Sequence, residues 1–325
     1  MRKAALLYNP DSGGKKQRQR ELEAALAVLR NAGVEADLRF TQSQDHAGDE
    51  TRRAVAAGCD TIFACGGDGT IHNIAQVLAG TPTALAILPM GTANALAHDI
   101  GLPLNVIAAA ESALLAAPRR IALGYVTFSD LQGNPGKRCF VLAAEIGVDA
   151  HLFYKLHTGA KQRMGMAAYY GKAWNLWFTY AMTRFSAEYV VTGHDGEAPQ
   201  RAEITELMAI RIRNFGGVVQ ELAPGASLDR DDVRLVFCRT ASRLAYLAYV
   251  TRGLLRLRCK IPGIDLAYSK QVACDYLPTS GGHPQPKIYV EADGELLGTL
   301  PVLITCVPNA LTLLAPPRAS ERLSS

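Results

Sequence analysis

The chain has 325 residues, 49% apolar and 20% charged, enough for two domains with real cores; this composition excludes a disordered chain. The net charge is +4, from 34 basic and 30 acidic residues. That excess is too small to point to nucleic acid, although it suits an anionic ligand or membrane surface.

Seven cysteines stand at 59, 65, 139, 238, 259, 274 and 306, an odd number with no CxxC pair. They read as reduced thiols of a cytoplasmic protein, not as a disulfide framework or a zinc site. The apolar run Ala4 to Tyr8 stops at Asn9-Pro10, too short for a signal core. No run of about 18 uncharged apolar residues occurs, so no spanning helix is expected. A lipid substrate would have to be met from outside the membrane.

In chain order, Ala4 to Tyr8 is a strand. Leu22, Ala25, Leu26 and Leu29 mark a helix over Lys15 to Asn31, stopped by Gly33. Val34 to Phe40 alternates as a strand, and Ala47 to Ala57 is a helix ended by Gly58. Thr61 to Cys65 and Ala84 to Leu88 are strands, with helices over Ile71 to Leu78 and Ala93 to Ile100. Strands alternating with helices imply a doubly wound, mostly parallel sheet. After about Leu123 short strands follow with few helices: 125–128, 138–146, 187–192, 203–212, 233–237, 265–274, 287–291 and 302–306. That texture predicts an antiparallel sandwich or barrel, interrupted by helices near 165–184 and 243–255.

Three loops of the first region follow strands: Asn9 to Gly14, Gly66-Gly67-Asp68-Gly69-Thr70, and Pro89 to Asn94. In a parallel sheet the carboxyl ends of the strands share one edge, so the loops can converge there. Glycine lets backbone approach a phosphate, and N–H groups at the next helix start can hold it. The loops match neither GxxxxGK[ST] nor GxGxxG, which sets aside a P-loop and a dinucleotide fingerprint. A carboxylate beside phosphates calls for a cation, so Asp68 is read either as a Mg2+ ligand or as a turn and helix cap. Asp293-Gly294-Glu295 lies between two extended pieces and reads either as a type I′ hairpin turn or as a catalytic pair.

Asn9-Pro10-x-Ser12-Gly13, GGDGT at 66–70, Leu88-Pro89-x-Gly91-Thr92-Ala93-Asn94, Gly147-Val148-Asp149-Ala150 and Asp293-Gly294-Glu295 fall in one order along the chain. This series resembles the diacylglycerol kinase catalytic family, which includes bacterial soluble lipid kinases and, more distantly, sphingosine and ceramide kinases. GGDGT by itself is shared with NAD kinases and phosphofructokinase relatives; the combination is more specific. The resemblance implies an α/β ATP-binding domain over 1–122 and a β-sandwich lipid domain over 123–309. The tail 310–325 has the option of returning to the first domain, and the active site is expected in the cleft between the two. ATP and Mg2+ are the implied cofactors. The nucleotide contacts implied are Asn9, Pro10, Ser12, Gly13, Thr41, Gly66, Gly67, Asp68, Gly69, Thr70 and Thr92. Glu295 is implied to take the acceptor hydroxyl's proton, with Asp293 in support.

The family's acidic segment, P-x-A-x-x-x-D-G-x-L, maps onto Pro224 to Leu235, where the Gly after Asp is missing and Arg230 interrupts the acids. Asp231 is favoured as metal ligand beside Asp68, with Asp229 and Asp232 in competition. His72 and Ala95 are further departures, where Asn and an acidic residue are usual. The implied reaction is transfer of the γ-phosphoryl group to a lipid hydroxyl, diacylglycerol or a related lipid, with transient contact at a membrane surface and a homodimer among the options. Aromatic and Met residues over 164–185 can line an acyl pocket or pack on the core. Arg252, Arg256, Arg258 and Lys260 can meet anionic headgroups or form a solvated helix end. The alternatives are a small-molecule kinase of the NAD kinase type and a nucleotide- or lipid-binding regulator with weak catalysis.

Overall fold

The computed structural model describes residues 1–10, 15–148, 150, 182–193, 196, 198–216, 222–255, 257, 259–278 and 286–316. Ser12, Gly13, Asp149, Arg256, Arg258, the aromatic segment through residue 181 and the tail from 317 lie outside these residues. The chain divides into two compact units. One comprises Met1–Leu123, Asn214–Val218 and Pro308–Ser325, the other Gly124–Arg213 and Val219–Val307.

The first unit is α/β. Strands β1 (Lys3–Tyr8), β2 (Glu35–Phe40), β3 (Thr61–Gly66) and β4 (Ala84–Pro89) form a parallel sheet in the order β2-β1-β3-β4. Every residue of β3 and β4 is buried, as expected for parallel strands covered on both faces, whereas β2 sits at the edge and buries little. Between the strands run α1 (Lys15–Asn31), α2 (Gln44–Ala56), α3 (Asp68–Leu78), α4 (Ala95–Asp99) and α5 (Val106–Leu115). Leu22, Ala25 and Leu29 of α1 are fully buried, the stripe that the helical spacing predicts. Helix α5 has no counterpart in the sequence reading. Its signal is Asn105, whose side chain accepts from the Ile107 and Ala108 N–H groups and so caps it.

Two later stretches complete this unit. The Asn214 N–H donates to the Asp99 carboxylate at 2.9 Å. Thr312 and Leu313 pair in parallel with Ala84 and Leu85 of β4. Arg120 secures that return by donating to Thr81 O, Thr312 Oγ1 and Asn309 O.

The second unit is antiparallel. One ladder runs β12 (Ile264–Ser269), β11 (Val233–Cys238), β10 (Glu206–Ile210), β7 (Ala143–Ile146), β14 (Tyr289–Ala292) and the start of β15 (Glu295–Ala315). Further along β15, Val302 to Thr305 pairs with β13 (Gln271–Tyr276), which leads to β8 (Phe185–Tyr189) and β9 (Gln200–Ile204). A hairpin of β5 (Ala117–Ser129) and β6 (Pro135–Phe140) joins them. Side chains of both ladders fill one core, with Ile146, Leu235 and Phe237 from the first and Phe185, Ile204 and Val272 from the second. Among its described residues runs the helix α6 (Arg243–Leu254), capped by Ser242.

Three stretches that alternate as single strands are broken in the structure: 138–146, 203–212 and 265–274. Each passes from one pairing partner set to another. Ser269 marks one break, its buried hydroxyl donating to Val190 O at 2.7 Å and to Gln271 O at 2.6 Å. Period-two patterning reports which face is buried and carries no record of a change of ladder. No helix among the described residues is long and apolar enough to cross a membrane.

Candidate active site

In the first unit the ends of β1, β3 and β4 are in register, Tyr8 beside Cys65, Cys65 beside Leu88, Gly66 beside Pro89. The loops that follow therefore start from one edge of the sheet. Two of them touch. A Cβ on Gly91 would lie 2.4 Å from the Gly67 Cα, and one on Gly66 would lie 2.2 Å from Thr70 Oγ1. Glycine is required at 91 because the loops pack backbone against backbone, and at 66 because the Thr70 side chain occupies the place of a Cβ.

The second loop is closed by Asn94, which holds a left-handed φ of 48°. Its Oδ1 accepts from the Gly91 N–H at 2.8 Å and its Nδ2 donates to Gly91 O at 3.0 Å. Asp68 joins the loops: its carboxylate accepts from the Ala95 and Leu96 N–H groups at 3.1 and 3.2 Å and caps α4.

Helix α3 starts at Asp68, three residues before the periodicity shows it, and its cap residue Gly67 supplies no side-chain bond. A Cβ on Gly69 would meet nothing within 4 Å. An α-helix start with partial positive charge therefore borders open space. Gly67, Asp68, Gly69 and Thr70 are half-buried and Thr92 is exposed. Asn9 and Pro10 follow β1 and are half-buried, while Thr41 is buried at the end of β2, its N–H donating to Tyr8 O at 2.8 Å. His72 is buried within α3, its Nε2 3.2 Å from Gln76 Nε2.

In the second unit Asp293 and Gly294 form a two-residue turn between Ala292 and its partner Glu295, with φ of 48° and 83°. Positive φ at both positions defines a type I′ turn. Asp293 is occupied: its carboxylate accepts from the N–H groups of Val141, Leu142 and Ala143 at 2.7, 2.8 and 3.1 Å. Those three bonds lie where β6 gives way to β7, and they fix the hairpin against that crossing. Glu295, half-buried at the start of β15, stands on the other side of the turn. Replacing Asp293 by Ala leaves three backbone donors without their acceptor. A loss of about 2 kcal/mol or more is expected in urea unfolding of the protein.

In the acidic segment the three carboxylates differ in their surroundings. Asp232 is buried and receives two bonds from Arg230, at 2.6 and 2.7 Å, which raise the Arg230 pKa. Asp229 is exposed and bonded by Ser227 Oγ at 3.2 Å, and Asp231 is exposed. The arginine that interrupts the acids thus neutralises one of them.

Sequence reasoning missed the residue that shapes this loop. Arg211 is fully buried and donates to Leu228 O, Arg230 O and Asp232 O, with Cys306 Sγ 3.1 Å away. Burial lowers its pKa. Glu206 was missed as well. Its carboxylate accepts from the Val148 N–H, and a Cβ on Gly147 would lie 2.6 Å from its Oε2, which accounts for the glycine of the Gly147-Val148 motif. Among the described residues no cluster of three His, Cys, Asp or Glu could by itself hold a metal.

The family model of the diacylglycerol kinase catalytic domain matches residues 3–126. A Staphylococcus aureus diacylglycerol kinase is 27% identical over 97% of this chain and 93% of its own length. A Bacillus subtilis diacylglycerol kinase is 26% identical over 99% of each. The fold is shared with a crystal structure of a Bacillus anthracis diacylglycerol kinase, at a TM-score of 0.65 and 18% identity, covering 98% of each chain. Paired glycine loops on the parallel sheet lie within the matched segment, and the relatives align across both units; the chain is similar to bacterial diacylglycerol kinases along its length, and its residues 3–126 match the catalytic-domain model of that family.

Proposed function

We propose that this protein is an ATP- and Mg2+-dependent lipid kinase that transfers the γ-phosphoryl group to the hydroxyl of diacylglycerol or a related lipid, acting at a membrane surface from the cytoplasm. The observation that carries the reading is the backbone contact between Gly67 and Gly91 beside the open start of α3. The contact packs glycine backbone at the loop edge, and beside it a Cβ on Gly69 would meet nothing within 4 Å, an open backbone surface suited to a polyphosphate. The names of the full-length relatives support the lipid as acceptor.

Mg2+ is held by one or two carboxylates plus phosphate oxygens; Asp68 and Asp231 are the carboxylates proposed for it, and when bound it would neutralise phosphate charge. The protein's own groups supply the rest. The glycine loops orient the triphosphate. Glu295 accepts the proton of the acceptor hydroxyl as its oxygen forms the new O–P bond and ADP departs. Asp293 positions Glu295 by holding the turn.

The test is thin-layer separation of products from radiolabelled ATP, with diacylglycerol micelles and NAD as rival acceptors. Label is expected in the lipid; label in NAD alone overturns the proposal. Asp68→Asn keeps an acceptor for the α4 cap and removes the charge. The Mg2+ concentration for half-maximal activity is expected to rise roughly tenfold. An unchanged Mg2+ requirement would leave Asp68 only its cap.

A further inference from the structure

The second unit contains a cavity of about 940 Å3 whose described lining residues are all its own, within the size range of small-ligand pockets. The β11–β12 ladder contributes Arg234, Phe237, Leu266 and Tyr268, and α6 contributes Tyr249 and Arg252. The cavity is strongly cationic. Among the described residues, Arg213, Arg234, Arg239, Arg252 and Lys260 line it against a single carboxylate, Asp265, which Arg239 already holds at 2.6 Å.

Two of these cations are set below the surface. Arg252 is 8% exposed and Arg234 is half-buried. Each lies over a tyrosine ring, Arg252 over Tyr249 at 4.5 Å and Arg234 over Tyr268 at 4.1 Å. Their hydrogen bonds go to backbone carbonyls: Arg234 Nε to Pro224 O at 3.0 Å, and Arg252 Nη2 to Leu222 O at 3.3 Å. The Nε of Arg252 is buried without an acceptor. Asp232 acts on Arg234 but is held by Arg230 through two bonds. Carbonyls and rings do not neutralise a guanidinium, and burial without a counter-charge is unfavourable. Burial accordingly lowers the Arg234 pKa. Both guanidiniums line the same cavity, one from α6 and one from β11.

The arrangement calls for an anion, and the remaining lining says which kind. Phe237, Leu266, Ile261 and Leu257 give the cavity an apolar part that inorganic phosphate or a sugar phosphate would leave unused. A planar guanidinium suits phosphate oxygens, and an apolar surface suits glycerol and the first acyl carbons. We propose that this cavity binds the phosphodiester headgroup of an anionic phospholipid, with Arg234 and Arg252 on the phosphate and the exposed Lys260 as an entry charge. The choice of a lipid over another organophosphate rests on the lipid-kinase reading. The bound lipid is either the acceptor itself or a membrane lipid that holds the enzyme at its surface.

The experiment uses the full chain and dihexanoyl phosphatidylglycerol below its micellar concentration, followed by isothermal titration calorimetry. Dihexanoyl phosphatidylcholine and inorganic phosphate serve as comparators. Phosphatidylglycerol is expected to bind at least about tenfold more tightly than either, and Arg234→Gln and Arg252→Gln are each expected to lower its affinity about tenfold. Lys260→Gln, a surface change that leaves the core untouched, should weaken it by roughly threefold. An ATP-induced rise in Tm confirms that each variant is folded. Equal affinity of wild type, Arg234→Gln and Lys260→Gln overturns the proposal, as does phosphatidylcholine or inorganic phosphate binding as tightly as phosphatidylglycerol. Labelled ATP separates the two sources. Label on phosphatidylglycerol marks it as acceptor; label on diacylglycerol alone, at a rate that phosphatidylglycerol raises, marks it as effector. Label on no lipid would sink the kinase reading while leaving the calorimetric result to stand or fall separately.

Discussion

Replacing Glu295 by Gln is expected to lower kcat about 100-fold or more, the usual contribution of a general base, with the KM for ATP and the Tm close to those of the wild type. Gln keeps the shape and the hydrogen-bonding capacity of the side chain and removes its basicity. The choice of Glu295 over its neighbour follows from the turn. Asp293 spends its carboxylate on three backbone N–H groups, and drawing it into proton transfer would disturb the crossing from β6 to β7. Glu295 stands past the two-residue turn, at the first position of a strand that is paired with β14. The two substitutions should therefore separate cleanly: Asp293→Ala costs stability, while Glu295→Gln costs turnover. Steady-state kinetics with diacylglycerol micelles check this, and a kcat within twofold of wild type would remove Glu295 as the base.

Replacing Gly91 by Ala is expected to raise the KM for ATP by roughly tenfold or more and to lower Tm, because overpacking at a backbone contact displaces what it touches. The added methyl would lie 2.4 Å from the Gly67 Cα and 2.8 Å from Asn94 Oδ1. Neither neighbour is the end of a flexible side chain: one is backbone and the other is locked into the ring that Asn94 makes with Gly91. Gly69→Ala is the informative companion. Its methyl enters open space, and Ala suits the first turn of α3 better than Gly does. The apo protein should keep its Tm or gain slightly, while the ATP-induced rise in Tm falls if that space belongs to phosphate. A thermal melt with and without MgATP reads both variants. A Gly69→Ala protein with an undiminished ATP shift would move the triphosphate away from the α3 start.

The acid segment shows how a correct reading of residue types can still leave the roles open. Pro224 to Leu235 displays three carboxylates within four positions, and nothing in their order says which is available. In the structure Arg230 takes Asp232, and Arg211, remote in sequence, holds the carbonyls of Leu228, Arg230 and Asp232. Asp229 and Asp231 both stay exposed on that framed loop. The basic stretch around Arg252 follows the same lesson. As sequence it reads as a charged helix end; in the fold Arg252 turns under its helix into a cavity, because Tyr249 offers a ring and Leu222 a carbonyl.

The sequence by itself determined the alternation of strands and helices in the first unit, the placing of glycine loops at strand ends and the antiparallel texture beyond residue 123, and it offered the Asp293-Gly294 turn as one of two readings. These are local matters: apolar period, glycine spacing and the few residue pairs that accept positive φ. Tertiary structure alone decided where strands change ladders, that Asp68 spans two loops to cap α4, that the Asp293 carboxylate meets three N–H groups at the crossing from β6 to β7, and that arginines frame both the acid loop and the cationic cavity. Each of those depends on a partner brought from tens to more than a hundred positions away. A carboxylate or guanidinium acquires its role from the groups that neutralise or solvate it, and only the folded chain brings those groups within reach.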